Sequence, residues 1–322
     1  MPGRNRRRCS SVPKCSSAGA VCRSATKCAP IGAHFVADRQ TAPALLHFGT
    51  EEQRQRFLPG IAAGEVYFSL GMSEPDSGSD LASVRTRATR VEGGWTVTGT
   101  KVWTSEAHNN HFFAVLCRTS PMEEGRKHAG LSQLVVDLSA PGVRISPIPY
   151  LDGSHHFNEV ALEDVFVPDD MVLGEPGSGW RQVTSELAYE RSGPDRWLST
   201  FPVLREWLRE RRDDVSDADA VVLGRLAARA RAIRQLSLSV ARSLDAGEAP
   251  AVEAALVKEV GTRFEQDLVE ALRDAAETEL DQGSDSLFQA LLAEAVLTSP
   301  SYTLRGGTTE ILRSVAAKGL AA

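Results

Sequence analysis

Met72-Ser73-Glu74-Pro75-Asp76-Ser77-Gly78-Ser79-Asp80 is the stretch on which the fold turns. Its residues are those of a turn: a proline with fixed φ, a glycine, and short side chains that bond to their own backbone. The text beyond it reads as β-structure to about residue 172. Trp95-Thr96-Val97-Thr98 alternates behind the turn pair Gly93-Gly94. His111–Cys117 and Leu134–Leu138 are apolar runs of strand length, and Val143-Arg144-Ile145 and Phe157–Leu162 alternate again. Pro, Gly and Asp clusters separate these runs. The spacing predicts a compact antiparallel sandwich or barrel.

Upstream of the loop, Thr50-Glu51-Glu52-Gln53 has a capping-box pattern, so a short helix is expected over 50–62, with Pro59 near its end. Downstream, past Gly174-Glu175-Pro176-Gly177-Ser178-Gly179, the period becomes helical. Leu223, Leu226, Ala230, Ile233, Leu236 and Val240 step by threes and fours, and so do Leu256, Val260, Phe264, Leu268 and Leu272. Their far faces are rich in Arg and Glu, which predicts bundle helices. A last helix is expected from about Thr309 to Gly319.

The chain has 322 residues, 42% of them hydrophobic and 24% charged, enough to bury a sizeable core. No run approaches ~20 apolar residues, so no transmembrane helix is expected. The net charge of −6 argues against a general nucleic-acid binder. Residues 1–29 differ from the rest. They hold Arg4, Arg6, Arg7, Arg8, Lys14, Arg23 and Lys27 with no acid, and Cys9, Cys15, Cys22 and Cys28; only Cys117 lies beyond. No Cys-x-x-Cys pair or zinc-like His spacing occurs there, so no metal site is expected. Three readings stay open for this segment: a disordered tail, a non-native stretch from a frameshift or misplaced start, or a mitochondrial transit peptide, which would be Arg- and Ser-rich and acid-poor.

The 72–80 loop resembles the loop that opens the β-domain of the acyl-CoA dehydrogenase family. Lys101-Val102-Trp103-Thr104-Ser105, Glu163–Pro168, Gly177-Ser178-Gly179-Trp180 and Gly306-Gly307-Thr308-Thr309-Glu310-Ile311 resemble further segments of that family, in the same order over residues 31–322. The resemblance implies an α+β multidomain fold: remnant N-terminal helices over 30–65, a central antiparallel β-domain over 66–172, and a C-terminal helical bundle over 173–322. It implies FAD as cofactor, an acyl-CoA substrate, and electrons passed to an electron-transfer flavoprotein. Carried over, the FAD contacts are Leu70, Gly71, Met72, Ser73, Gly78, Ser79, Trp103, Thr104, Ser105, Thr308, Thr309 and Glu310. Ser79, Ala188, Tyr189, Arg191 and Gly307 would lie near the acyl-CoA.

The family places its catalytic glutamate at one of two positions. The commoner one is Gly306 here, which cannot take a proton. The other is Glu190, in Ala188-Tyr189-Glu190-Arg191, which makes Glu190 the expected base. Other segments depart from the family. Only Ile31–Gly64 resembles the N-terminal helical domain, which implies a truncated chain. The segment that helps to hold FAD across a dimer has no counterpart after Arg196. Asp281-Gln282-Gly283-Ser284-Asp285 stands near where the family grips the adenine half, and Ala188 replaces an expected aspartate. These departures point to a homo- or hetero-oligomer, dimer or tetramer, of the kind in which unlike subunits share FAD sites. They leave three alternatives: an oxidase or monooxygenase on the same fold, a non-catalytic partner subunit, or an inactive fragment. The Arg- and Ala-rich composition suggests a bacterial, cytoplasmic protein, or a mitochondrial one if residues 1–29 are a transit peptide.

Overall fold

The computed structural model describes residues 35–151, 153–211, 215–276 and 279–321. The Cys-rich segment 1–29 lies outside them. A π-helical turn, Ala37–Thr41, leads into α1 (Ala42–Phe48), and α2 spans Glu51–Ala62. The expected capping box is present: the Thr50 hydroxyl accepts from the Gln53 N–H, and the Gln53 side chain accepts from the Thr50 N–H. Pro59 sits inside the last turn of α2.

The strands are β1 (Phe68–Gly71), β2 (Arg87–Val91), β3 (Gly94–Ser105), β4 (Phe112–Arg118), β5 (Leu131–Asp137), β6 (Val143–Pro149), β7 (His155–Pro168) and β8 (Val172–Leu173). They form one sheet in the order β6-β7-β3-β2-β4-β5-β8, with β1 also on β4. The β2–β3 hairpin turns at Glu92-Gly93, where Gly93 takes the positive φ that such a two-residue loop needs.

The sheet corrects the antiparallel expectation, because it is mixed. β5 takes the whole of one edge of β4. The other edge is shared: β1 pairs in parallel along Phe112–Val115, and β2 meets it in parallel at Arg118. Residues 72–86 therefore leave the sheet where the partner of β4 changes. Alternation of apolar residues reports burial, not strand direction, so the pattern could not show this.

The bundle contains α3 (Gly179–Ser192), α4 (Phe201–Glu210), α5 (Asp217–Asp245), α6 (Ala251–Ala276), α7 (Leu287–Thr298) and α8 (Thr309–Leu320). Leu226, Ile233 and Val240 are buried as expected, but Leu236 is 44% and Val260 37% exposed. In α6 the buried stripe runs Ala254, Lys258, Gly261, Glu265, Leu268, Leu272. Two charged residues lie on it, and Leu256 and Val260 flank it.

Two large cores result. One joins the N-terminal helices to the sheet, where the Phe57 ring meets Phe68 and Phe112 edge-on at 5.4 and 5.0 Å. The other fills the bundle around Trp207, Phe264 and Leu268. A smaller cluster joins the domains: Val183 of α3 packs with Val84, Leu116 and Leu131, with Met72 and Trp180 against them. Full burial of each such side chain contributes about 1.5–3 kcal/mol.

Candidate active site

The 72–80 loop is pinned from beneath by a buried ion pair. Lys101 of β3 is fully buried, and its Nζ donates to Glu74 Oε1 at 2.9 Å and to the Met72 carbonyl at 3.0 Å. The Glu74 carboxylate also accepts from the N–H groups of Arg85 (2.6 Å) and Thr86 (2.8 Å). Burial alone would lift the Glu74 carboxyl. The Lys101 ammonium and these hydrogen bonds outweigh it and hold the group below the usual carboxylate range. The Val102 N–H donates to the Ser73 carbonyl at 3.0 Å, so loop and strand are joined at successive residues.

Immediately beyond, the β3–β7 register slips between Lys101 and Thr104, and Trp103 sits in the slip at φ 59°. A positive φ at a bulky residue is costly and persists only where its surroundings fix it. The bulge turns the indole out of the sheet, leaving it 58% exposed with the Phe157 ring edge-on at 5.9 Å. Thr104 behind it is fully buried, its carbonyl accepting from Asn158 while its own Oγ1 has no partner among the described residues. The Ser105 carbonyl accepts from Ser69 of β1, which ties the segment to the strand carrying Leu70 and Gly71. A Cβ on Gly71 would strike the Phe113 ring at 2.4 Å, so that glycine answers to internal packing. A Cβ on Gly78 would meet nothing within 4 Å, and Ser79 is exposed. These surfaces suit a flat heteroaromatic ring: an uncovered indole and a glycine the protein itself does not require.

The second group lies at the far end of α3. Val183 packs beside Met72, and Glu190 follows two turns later, about 10 Å along the helix. Glu190 Oε1 accepts from Arg196 Nη2 at 2.9 Å, and Arg196 Nε donates to the Glu190 carbonyl at 2.8 Å. The Glu190 side chain is only 13% exposed. Gly306 stands against it at φ 67°: a Cβ there would lie 3.0 Å from Glu190 Oε1. The two alternative carboxylate positions of the sequence reading thus converge in space, and only one holds a carboxylate. Arg191 Nε donates to the Gly306 carbonyl at 2.9 Å, and a Cβ on Gly307 would come within 3.1 Å of Arg191 Nη2. Burial lowers the Arg191 pKa, a cost that the Glu190 carboxylate partly offsets.

The other expected site residues are more dispersed. Tyr189 turns toward α1, its hydroxyl 3.3 Å from His47 Nε2. The Ala188 side chain packs in the bundle core with Val240, Ala254 and Val257. Thr308 caps α8, accepting from the Ile311 N–H. Thr309 and Glu310 line an open groove with Arg263, Leu304 and Arg313.

The sequence reading missed the charges beneath Gly306. Glu265, fully buried, accepts from Arg305 Nη2 at 2.6 Å and from the Ser199 N–H at 2.7 Å; burial raises its pKa against those partners. Arg305 stacks on the Tyr302 ring at 4.1 Å. Lys258, also fully buried, donates to the Tyr302 carbonyl at 2.9 Å. Its pKa is pushed down to about 8, by burial first and then by the charges of Arg196 and Arg305. These bonds hold Tyr302 and Arg305 against α6, while the Arg191 bond ties Gly306 to the end of α3.

Family models match most of the chain: acyl-CoA dehydrogenase N-terminal domain over residues 13–65, middle domain over 69–165 and C-terminal domain over 177–321. The first of these matches begins within the Cys-rich segment. FadE26, an acyl-CoA dehydrogenase of Mycobacterium tuberculosis, is 33% identical over 285 residues, covering 83% of this chain and 70% of that protein. The chain belongs to the acyl-CoA dehydrogenase family. FadE34 of the same organism is 38% identical over 275 residues, 84% of this chain but 37% of FadE34. The chain spans about two fifths of the lengths of FadE34, FadE29 and IpdE1. Among solved structures, the Tcur3481-Tcur3483 steroid ACAD is 30% identical with a TM-score of 0.75, covering 90% of this chain and 77% of that one. The ChsE4-ChsE5 complex of Mycobacterium tuberculosis is 30% identical with a TM-score of 0.74, covering 89% and 77%. The family's three-part fold is therefore the fold of this chain. Among the described residues, no helix is long and apolar enough to cross a membrane, and no group of His, Cys, Asp and Glu is placed to hold a metal.

Proposed function

We propose that this chain catalyses FAD-dependent α,β-dehydrogenation of an acyl-CoA thioester, with Glu190 as the base. The observation that carries this reading is the Glu190 carboxylate, held by Arg196 through Oε1 against the bare backbone of Gly306. Oε2 takes no hydrogen bond among the described residues and is the oxygen that receives the α-proton. Leu70, Gly71, Met72, Ser73, Gly78 and Ser79, with Trp103, Thr104 and Ser105, hold the FAD; Thr308, Thr309 and Glu310 do so from the bundle side. The exposed Trp103 indole and the open space beside Gly78 support that assignment. When bound, FAD supplies the hydride acceptor. Tyr189, Arg191 and Gly307 position the thioester, Ser79 contacts its carrier, and Ala188 contributes main chain alone. An electron-transfer flavoprotein would be the partner that takes up the electrons, and the protein acts in the cytoplasm.

An unlike partner subunit is part of this reading. Asp281–Asp285 departs from the segment with which the family grips the adenine half, and ChsE4-ChsE5, of the same fold, is a complex of two named proteins. The steroid ACAD neighbour favours an acyl chain carried on a steroid skeleton. The test is anaerobic titration of the flavin-loaded protein, with whatever partner it purifies with, against a panel of straight, branched and steroid acyl-CoA esters. Bleaching by one class, lost in Glu190→Gln at unchanged flavin content, is the expected result. Bleaching that survives Glu190→Gln removes the base from Glu190 and leaves the chain a supporting subunit.

A further inference from the structure

We propose that Arg196 is a positioning residue: it fixes which oxygen of Glu190 faces the substrate. This rests on the reading of Glu190 as the base. Arg196 grips residue 190 twice, at the side-chain Oε1 (2.9 Å, from Nη2) and at the main-chain carbonyl (2.8 Å, from Nε). Contacts from two different nitrogens of one planar group fix an orientation as well as a distance. The guanidinium is itself held in place. Its side chain is 6% exposed, Asp195 lies 3.2 Å from Nε, and the Phe35 ring lies 5.2 Å beneath it.

Gly306 sets the other wall. A Cβ there would sit 3.0 Å from Oε1 and 3.7 Å from Nη2 of Arg196. The pair therefore fills the space that the missing side chain leaves. The engaged Oε1 lies on the Gly306 side, and Oε2 is the free oxygen. Displacement of a reacting group by about 1 Å can cost on the order of a hundredfold in rate.

A purely structural role makes a different prediction. The Glu190 carbonyl lies in the last turn of α3, where orphan carbonyls need a donor. Any cation can fill that need, lysine included, whereas only the guanidinium fork can hold carbonyl and carboxylate together. Arg196→Lys and Arg196→Gln separate the two roles. Each is compared with the unaltered flavin-loaded protein, using the acyl-CoA that bleaches it best. Each is also mixed with an acyl-CoA bearing sulfur in place of the β-carbon. That probe can lose its α-proton but cannot yield a hydride, and its anion gives a long-wavelength band beside the flavin.

The expected result is a normal melting temperature and flavin content in Arg196→Lys, KM within about twofold, kcat lower by about tenfold or more, and a weakened band. The loss should be as large or larger in Arg196→Gln. Turnover and band unchanged in both variants overturn the positioning role and leave Glu190 untouched. Parallel loss of kcat, flavin and thermal stability in both, or failure of both to fold, overturns it as well, because Arg196 is then only a brace for the helix end. Failure of the base assignment shows separately, as turnover that survives Glu190→Gln.

Discussion

Lys101 and Glu74 in the β-domain, and Lys258, Glu265 and Arg305 in the bundle, bury the same kinds of charge in different ways. Lys101 and Glu74 answer each other directly, and both oxygens of Glu74 are engaged, by Lys101 and two backbone N–H groups. Nothing there is left for a ligand. In the bundle the lysine and the carboxylate do not meet: Lys258 takes a carbonyl, and Glu265 takes Arg305, which is 29% exposed. Beside them Arg196 holds Glu190 by one oxygen. The closed cluster fixes a loop. The open one fixes a wall and leaves a carboxylate oxygen free. Burial of charge therefore does not mark a reactive site; incomplete pairing of a partly accessible group does.

Neutralising one carboxylate in each cluster tests the contrast most strongly. Glu74→Gln leaves the Lys101 charge buried without a counter-ion and should cost about 3 kcal/mol or more. Glu265→Gln should cost about 1 kcal/mol, because Arg305 can turn to water. Urea unfolding at neutral pH gives both values, and equal losses would erase the distinction. Since the folded Glu74 pKa is depressed, its contribution is present above the ordinary value of 4.5 and is lost as the pH falls through the folded one. The gap between the unaltered protein and Glu74→Gln should close in acid.

Gly306→Ala probes the placement of the carboxylate. The added methyl meets Glu190 Oε1 at 3.0 Å on a backbone already at positive φ. Turnover should fall by about tenfold or more, equivalent to about 1.4 kcal/mol in the barrier, with flavin still bound. Full turnover in this variant would place the working carboxylate elsewhere.

Lys258 gives an effect with a direction. In the folded protein it gives up its proton near pH 8, whereas the unfolded chain keeps it to about 10.5. Between those values the unfolded state binds more protons, so this group adds stability as pH rises, by up to about 1.4 kcal/mol per unit. Lys258→Met should show a flatter dependence than the unaltered protein in urea melts across pH 8 to 10.5. Matching slopes would mean that Lys258 titrates normally.

The sequence showed more of the strands than of their pairing. The alternation behind Gly93-Gly94 located β3, and Thr50 through Gln53 located the start of α2. The parallel entry of β1 was hidden, because a strand's own residues do not name its neighbour. Glu74 and Lys101 were read as parts of separate motifs, and their ion pair is the physical reason both are there. Glu190 and Gly306 were read as alternatives, which their contact now explains. Lys258 and Glu265 were missed because charged residues were assigned to the solvent face. Their spacing carried the signal: 254, 258, 261, 265, 268 and 272 alternate steps of four and three, the seam of a packed helix. A charge on such a seam is a charge with a partner inside. Leu236 and Val260 failed for the converse reason, since hydrophobicity alone does not assign a residue to the seam.

The divided edge of β4 also sets an order of assembly. β2 and β3 close a hairpin between chain neighbours, and β4 and β5 pair next to each other in the sequence. Phe68 must instead wait for Phe112, with the loop and the whole hairpin between them. Contacts between distant residues carry a larger closure entropy and form after local ones. The strand that leads into the 72–80 loop is thus fixed only once β4 has been made, so a chain interrupted before Phe112 has the contacts of the loop to Lys101 and Val102 without the edge that anchors β1.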